Sequence, residues 1–361
     1  MFNLLGNKKI EAFGLDISNV SIKAMMLGKK NNGLFPLAFS DIQIPGNIIS
    51  NHMITNEEKL ADQIKRAVSA AGKISSKYVV ASVPEAKSFV RLLNLPKLSE
   101  SELDSSIPWE LEADIPVPVD QVYLDWMIIN QQGDKLDVLV MATPKDYVDT
   151  LVSSIKSAGF KPAALELESQ ATARALVSSV DSSSAVLILD IASILTSFVI
   201  IENGVLQYTS SIPLGGNALT ESIARNLGVS APDAEKMKRE LGLLSDTKKG
   251  NIRQAILPIL DNIVDEIKNV ARFHEEHSVG KKPISKVILA GGGGKLLGIT
   301  DYISARLNLG AAKPIGRVVL GDPWVNVIDS SMKEQIPLPK EQALGLATVT
   351  GLALRGASYA Q

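Results

Sequence analysis

The 361-residue chain contains no cysteine and only three histidines. Disulfides, thiolate nucleophiles and cysteine-ligated metals are thereby excluded, and little remains for histidine-based triads or metal sites. The lack of cysteine fits a reducing compartment. No run reaches the ~20 apolar residues that a membrane helix needs; the nearest, Ala185 to Ile201, contains Asp190. The start, Met1 to Ile10, has no long apolar stretch behind its lysines, so no signal peptide is expected. Its 37 basic and 39 acidic residues read as interspersed, with a formal net charge of −2, so no nucleic-acid surface or polybasic membrane patch is expected. Familiar chemical signatures are missing too. There is no Gly-x4-Gly-Lys-Ser/Thr, no complete Gly-x-Gly-x-x-Gly and no Gly-x-Ser-x-Gly elbow, which argues against P-loop, Rossmann and hydrolase readings.

What is present is an ordinary globular composition, 45% hydrophobic and 21% charged, long enough for roughly two domains at about 150 residues each. The rhythm is mixed α and β. Phe13 to Met26 reads as two strand-like runs broken at Ser18-Asn19. Thr55 to Gly72 carries helix signals: Thr55 with Glu58 as a capping box, Leu60, Ile64 and Val68 on one face, and Gly72 as terminator. Lys77 to Val83 is a β-branched run ended by Pro84. Ser99 and Glu102 form a second capping box, and three prolines from Ile107 to Pro118 predict the end of that helix and the start of an extended segment. Gln121 to Ile129 and Leu136 to Thr143 read as paired strands, followed by a helix from Pro144 to Gly159. In the second half, Val186 to Ile201 and Val205 to Ile212 read as strands turning at Asn203-Gly204. Helices are expected over Ala218–Asn226, from Ser230 to Leu241, and from Ile252 to Glu276 with a kink at Pro258. Val287 to Ala290 is a strand running into Gly291-Gly-Gly-Gly294.

The halves echo each other. Gly14-Leu-Asp-Ile-Ser18 and Leu187-Ile-Leu-Asp-Ile-Ala192 both place Leu-Asp-Ile at the end of a hydrophobic strand, which points to a duplicated α/β unit. Asp16, with Ser18, Asn19 and Val20 behind it, suits a turn whose backbone N–H groups form an anion-binding concavity, while the carboxylate holds Mg²⁺ through water. Lys23, on the next strand, is placed to meet a phosphate. The turn at Asp190, Ala192 and Ser193 offers the same from the second half. Gly215-Gly216-Asn217 lets backbone approach phosphate or ribose. Glu235 and Lys238, three apart on one helix, can bracket a ribose, and Gly291 to Gly294 can pass over an adenosine. Each alone has a plainer explanation: turn former, exposed helix pair, or loop. His274 and His277 read as a solvated helix end rather than a metal pair.

The order of these elements resembles the actin/hexokinase/Hsp70 superfamily. Within it the chain closely resembles the PilM family of type IV pilus assembly proteins. The resemblance rests on Gly14 to Lys23, Trp109 to Pro118 with Val122 to Asp125, Glu166 to Leu176, Ile212 to Thr220, Ala234 to Lys238 and Gly351 to Arg355. It implies an actin-like (ribonuclease H-like) α/β fold of two domains with an FtsA-type inserted subdomain. Subdomain 1A is expected over 1–85 plus 161–184, 1C over 86–160, 2A over 185–224 plus 285–361, and 2B over 225–284. It also implies ATP with Mg²⁺ as ligand. Asp16, Ser18, Asn19 and Lys23 fall on the first phosphate turn, and Asp190 and Thr196 on the second. Gly215 and Gly216 fall on the ribose–phosphate side, Glu235 and Lys238 on the nucleoside, and Gly291, Gly292 and Gly293 on the adenosine turn, with Asp16 and Asp190 holding the metal through water. Glu168 matches the region that positions an attacking water. Ala192-Ser193 stands where a glycine is common, which favours binding over hydrolysis, so at most slow ATPase activity is expected.

As partners the resemblance implies the N-terminal cytoplasmic peptide of PilN, held in a groove built from about residues 10 to 165, and other pilus assembly components. It further implies a cytoplasmic protein peripheral to the inner membrane through its partner, without membrane insertion, and able to form homo-oligomers. Two rivals are an FtsA-like cell-division protein and a small-molecule kinase of the same superfamily. The first is disfavoured by a C-terminus without a cationic amphipathic stretch, the second by the lack of a clear base beyond Glu168.

Overall fold

A computed structural model describes residues 2–3, 10–30, 33–50, 52–112, 114–178, 181, 184–244, 252–277, 282–308, 315–328 and 337–359. The chain divides into two compact units. Unit 1 comprises Met1–Ala175, Asn326–Pro337 and Thr348–Gln361; unit 2 comprises Leu176–Val325 and Leu338–Ala347.

Unit 1 is built on strands β1 (Phe2–Asn3), β2 (Ala12–Ile17), β3 (Ser21–Lys30), β4 (Gly33–Gln43), β7 (Tyr78–Val83) and β11 (Lys161–Leu167), in the order β1-β11-β7-β2-β3-β4. Strands β5 (Ile49–Ser50) and β6 (Met53–Ile54) form a small hairpin between β4 and helix α1 (Glu57–Ala71). The run β2-β3-β4 is antiparallel, whereas β7 and β11 join β2 in parallel. Every residue of β2 is buried, as expected for a strand covered on both faces. One face carries α1 and α3 (Lys145–Ser157), which bring Leu60, Ile64, Val68, Tyr147, Leu151 and Ile155 into a core with Phe13, Leu15 and Val79. The helix capping α1 differs from expectation: Asn56, not Thr55, is the N-cap, its side chain accepting from the Lys59 N–H at 2.9 Å. The Thr55 hydroxyl instead donates to the carbonyls of Asn47 and Ile48.

The opposite face is covered by α4 (Glu168–Leu176) and α10 (Ala347–Ser358). Glycine permits this contact. A Cβ on Gly14 would come 2.6 Å from Ala353 N and Val349 O, and one on Gly351 or Gly356 would overlap the carbonyl of Ala171 or Ala12. Beneath them Glu166, fully buried, accepts two hydrogen bonds from Arg174 and lies 3.6 Å from Arg355. The C-terminal residues, expected with the second half, therefore pack in unit 1, because only small residues on both sides let α10 lie against β2 and α4.

Between β7 and α3 lies a separate three-stranded antiparallel sheet, order β8-β10-β9, of β8 (Phe89–Pro96), β9 (Val122–Gln132) and β10 (Lys135–Pro144). Helix α2 (Glu100–Leu111) lies on it, its start held by the expected Ser99–Glu102 capping box. Leu103, Ile107 and Leu111 form a core with Leu136, Val138 and Val140. Pro108 falls inside α2 instead of ending it; burial of Ile107 and Leu111 holds the last turn despite the lost backbone bond.

Unit 2 repeats the plan. Its sheet, order β14-β13-β12-β15-β16, comprises β12 (Ala185–Ile191), β13 (Thr196–Glu202), β14 (Val205–Ile212), β15 (Ile284–Ala290) and β16 (Arg317–Leu320). It matches β4-β3-β2-β7-β11 strand for strand, with the first three antiparallel and the last two parallel to β12. The run Val186–Ile201, read from sequence as one strand, is two, because Ala192 to Leu195 form a turn closed by Ala192 N–H donating to Leu195 O. Helices α5 (Gly216–Leu227), α6 (Ala231–Leu241), α7 (Ile252–His277) and α8 (Ile299–Asn308) complete the unit, with the short α9 (Lys340–Ala343). The stripe Ile252, Ile256, Ile263, Ile267 and Val270 of α7 lies in the core with Leu187, Leu189 and Phe198.

Candidate functional site

The two Leu-Asp-Ile repeats end equivalent strands, β2 and β12, so each unit presents one aspartate turn. In unit 1, Asp16 is cross-strand partner to Lys23. It is nearly buried and both oxygens are engaged, one by Lys23 Nζ at 3.0 Å and the other by the Ser82 hydroxyl at 3.1 Å. Burial opposes the Lys23 charge, but the carboxylates of Asp16, Asp41 and Glu168 outweigh it and hold the ammonium pKa above its ordinary value. Glu168 opens α4 directly after β11. Tyr147 lies close by: burial, then the Glu168 and Asp16 carboxylates, push its phenol well above the usual range. Unit 1 thus brings Asp16, Lys23 and Glu168 together, and adds Ser82 and Tyr147, which sequence reasoning missed. Ser82 had one signal, a polar residue closing an apolar strand just before Pro84.

Ser18 and Asn19 serve the turn itself. The Ser18 hydroxyl donates to Ser21 O and accepts from Ser21 N–H. Asn19 accepts the backbone N–H of His52 at 2.9 Å and faces its ring, pinning a residue held in the left-handed region at φ 60°. Burial and the nearby Lys87 keep the His52 imidazole pKa below its ordinary value. Asn19 therefore braces the first turn with its side chain.

In unit 2 the second turn, the start of α5, α6 and the glycine loop converge. Gly215 has no room for a side chain: a Cβ would lie 2.6 Å from Ala192 O. The N–H groups of Gly216 and Asn217 donate to the carbonyls of Ala192 and Ser193, each at 2.8 Å, so the α5 terminus is fastened to the turn. Thr196, expected on the second phosphate turn, is fully buried and its hydroxyl donates to Leu214 O. Lys238 Nζ donates to Gly216 O at 2.9 Å and Thr220 Oγ1 at 2.8 Å, and pairs with Glu235 at 2.6 Å. Glu235 also accepts from Thr220 and from Arg239 Nε, each at 2.6 Å. Burial would raise its pKa, but the hydrogen bonds from Lys238, Thr220 and Arg239 win and hold it at about 2. Thr220, one turn after Gly216, was legible only as a helix residue.

The loop 291–294 packs on the aspartate of the same unit. Gly291 has φ +71°, and a Cβ there would overlap Asp190 Oδ1; one on Gly293 would come 2.7 Å from Ile191 Cβ. Gly292 differs: nothing lies within 4 Å of a Cβ placed on it. The arrangement offers a Gly-lined open surface beside a carboxylate, with a fixed Glu–Lys–Arg set on the same unit, which fits a polar ligand carrying hydroxyls. Among the described residues no group of three or more His, Asp or Glu gathers as for a metal. A divalent cation would fit only through waters that bridge it to a carboxylate, and with oxygens of its ligand, as Mg²⁺ does beside phosphates. Also among the described residues, no helix is long and apolar enough to cross a membrane.

A family model described as type IV pilus assembly protein PilM matches residues 14–357. A solved PilM–PilN type IV pilus biogenesis complex contains a chain similar to this one at 25% identity and TM-score 0.81, covering 96% of this chain and 99% of that chain. MreB5 of Spiroplasma citri, solved bound to ADP, shares the fold at TM-score 0.53 and 13% identity over 96% of each chain. The cell division protein FtsA of Neisseria meningitidis serogroup B (strain ATCC BAA-335 / MC58) is 24% identical over 233 residues, 58% of this chain. The match spans 56% of that FtsA's own length. The actin-like fold is common to these structures.

Proposed function

The chain belongs to the PilM family of type IV pilus assembly proteins, and from that premise we propose that it is an ATP-binding scaffold of the pilus machinery that docks the N-terminal cytoplasmic segment of PilN. Through PilN it would be held at the inner membrane. The observation that carries the nucleotide reading is the loop 291–294, where Gly291 and Gly293 are sterically required and Gly292 faces open space. Glu235 and Lys238 are assigned to the nucleoside, Gly215 and Gly216 to the ribose–phosphate side, and Gly291, Gly292 and Gly293 to the adenosine. Asp190 and Asp16 are assigned to Mg²⁺ through water, and Lys23 to phosphate. Mg²⁺ would supply charge neutralisation of the phosphates. The fixed Glu235–Lys238–Thr220 set orients a hydroxyl-bearing ligand without reorganisation. The engaged state of Asp16 and the tethered α5 terminus favour holding a nucleotide over turning it over, so at most slow hydrolysis is assigned, with Glu168 orienting water. The 1A, 1C, 2A and 2B division given from sequence is kept as proposed, except that the C-terminal Thr348–Gln361 is assigned with the first half instead of 2A.

Calorimetry with ATP and Mg²⁺ tests this reading. Micromolar affinity, about −8 kcal/mol, reduced at least tenfold in Glu235→Gln, is expected. Absence of binding to the folded wild-type chain would overturn the nucleotide assignment. For the partner, a synthetic peptide of the PilN N-terminal segment should bind the full chain; no binding in apo, ADP and ATP states alike would overturn that part.

A further inference from the structure

Charges are interspersed along most of the chain but not between residues 98 and 134. Nine of the 39 acidic residues fall there, and none of the 37 basic ones. This stretch contains α2 and strand β9. Because α2 turns Leu103, Ile107 and Leu111 to its sheet, helical spacing sets Glu102, Ser105, Trp109 and Glu112 on the opposite side. All four are exposed, and Trp109, at 76%, is the most exposed large hydrophobic side chain among the described residues. The stretch holds a second indole for contrast: Trp126 packs against the core of the same sheet and donates to Asp104 at 2.8 Å. Glu110, Glu112 and Asp114, which follow Trp109 at the C-terminal end of α2, are all exposed and form no ion pair with a described residue.

We propose that the outer face of α2 docks a lysine- and arginine-rich segment of a protein partner, with Trp109 as its anchor. Uncompensated carboxylates repel phosphodiesters and anionic lipid headgroups, so the complementary surface is a basic polypeptide. A guanidinium stacks on the indole face while neighbouring carboxylates hold its N–H groups. Tryptophan at the centre with charges at the rim is the arrangement that concentrates binding energy in interfaces. The proposal stands independently of the nucleotide site, and it goes beyond PilN as partner by naming a face and the chemistry that fits it.

The test uses the full chain and a fluorescein-labelled dodecapeptide of alternating Arg and Leu, followed by anisotropy, with a Glu–Leu dodecapeptide for comparison. Binding of the basic peptide alone is expected. It should weaken about tenfold in the reversal Glu110→Lys/Glu112→Lys/Asp114→Lys and severalfold in Trp109→Ala, with Trp109→Phe intermediate. It should also weaken as salt rises from about 50 mM to about 500 mM. A matched reversal on α1, Glu57→Lys/Glu58→Lys/Asp62→Lys, should leave affinity unchanged. Since these side chains are exposed, the α2 variants should unfold close to wild type, while the α1 reversal, which sets lysines in the first turn of a helix, should unfold somewhat lower yet remain folded at the assay temperature. Three results would each overturn the proposal: no binding to the wild-type chain at low salt, wild-type affinity in both the α2 reversal and Trp109→Ala, or an equal loss in the α1 reversal, which would reduce the effect to net charge.

Discussion

Replacing Gly291 and Gly292 one at a time by alanine sets two neighbouring, chemically identical substitutions against each other. Gly291 has φ +71°, a region that disfavours an L side chain by about 1–2 kcal/mol. Its new methyl would overlap Asp190 Oδ1 and lie 2.6 Å from Ile191 O, so the end of β12 must give way. Overpacking of that kind costs about 1–3 kcal/mol, for a combined destabilisation of about 2–5 kcal/mol. Gly292 has φ −65° and an open surround. There alanine restricts only the unfolded chain, a gain of about 0.4–1 kcal/mol. Urea unfolding followed by circular dichroism should therefore move in opposite directions for the two variants. Calorimetry adds the functional half: a methyl on Gly292 intrudes on the surface assigned to the nucleoside, so Gly292→Ala should weaken ATP about tenfold, or 1.4 kcal/mol, while remaining stable. An unfolding midpoint of Gly291→Ala equal to that of Gly292→Ala would refute the steric reasoning. Wild-type ATP affinity in Gly292→Ala would refute the placing of the nucleoside at this loop.

Three further outcomes are expected. Asp16→Ala leaves the Lys23 ammonium buried without its partner and should destabilise by about 3–5 kcal/mol; Asp16→Ala/Lys23→Met should recover part of that loss in urea unfolding, and a double variant no more stable than Asp16→Ala would count against the pair. Glu235, held at about 2 against an ordinary 4.5, contributes stability above pH 4.5 that is lost as pH falls toward 2. Acid unfolding over that window should therefore be shallower in Glu235→Gln, and identical pH slopes would sink the argument. Gly351→Ala places a methyl into the Ala171 carbonyl, so thermal unfolding should drop by the equivalent of about 1–3 kcal/mol or more; a change under about 0.5 kcal/mol, the range of an ordinary surface substitution, would show that α10 is free to shift.

Strand-level features were legible because they depend on short runs. The two Leu-Asp-Ile repeats ended matching strands, and the sheets they open share one strand order. Ser99–Glu102 and Ser230 capped helices as their local spacing demands. What could not be read depended on partners distant in the chain. Thr55 and Asn56 are both good caps, and only the carbonyls of Asn47 and Ile48 decide which hydroxyl or amide is drawn elsewhere. The Thr196 hydroxyl bonds the carbonyl of Leu214, 18 positions on. The Asn19 side-chain oxygen accepts from His52, 33 residues away. Ser82 and Tyr147 joined Asp16 only because β7 and α3 pack beside β2. Glycine in α10 carried no visible meaning until the backbones it admits were in place.

The return of α10 to unit 1 bears on the order of events during synthesis. Ala12, Val80, Ala163, Ala164 and Ala171 share their cluster with Leu352, and Thr348–Gln361 belong to the same unit as Met1–Ala175. One face of the first sheet, covered by α4 alone, therefore stays open where α10 belongs while the ribosome translates everything in between. A nascent chain stalled before residue 348 would carry that open apolar strip, an address for chaperones and proteases. The first-made half closes only once these late residues emerge, so products cut short before them are marked for removal by their own incompleteness.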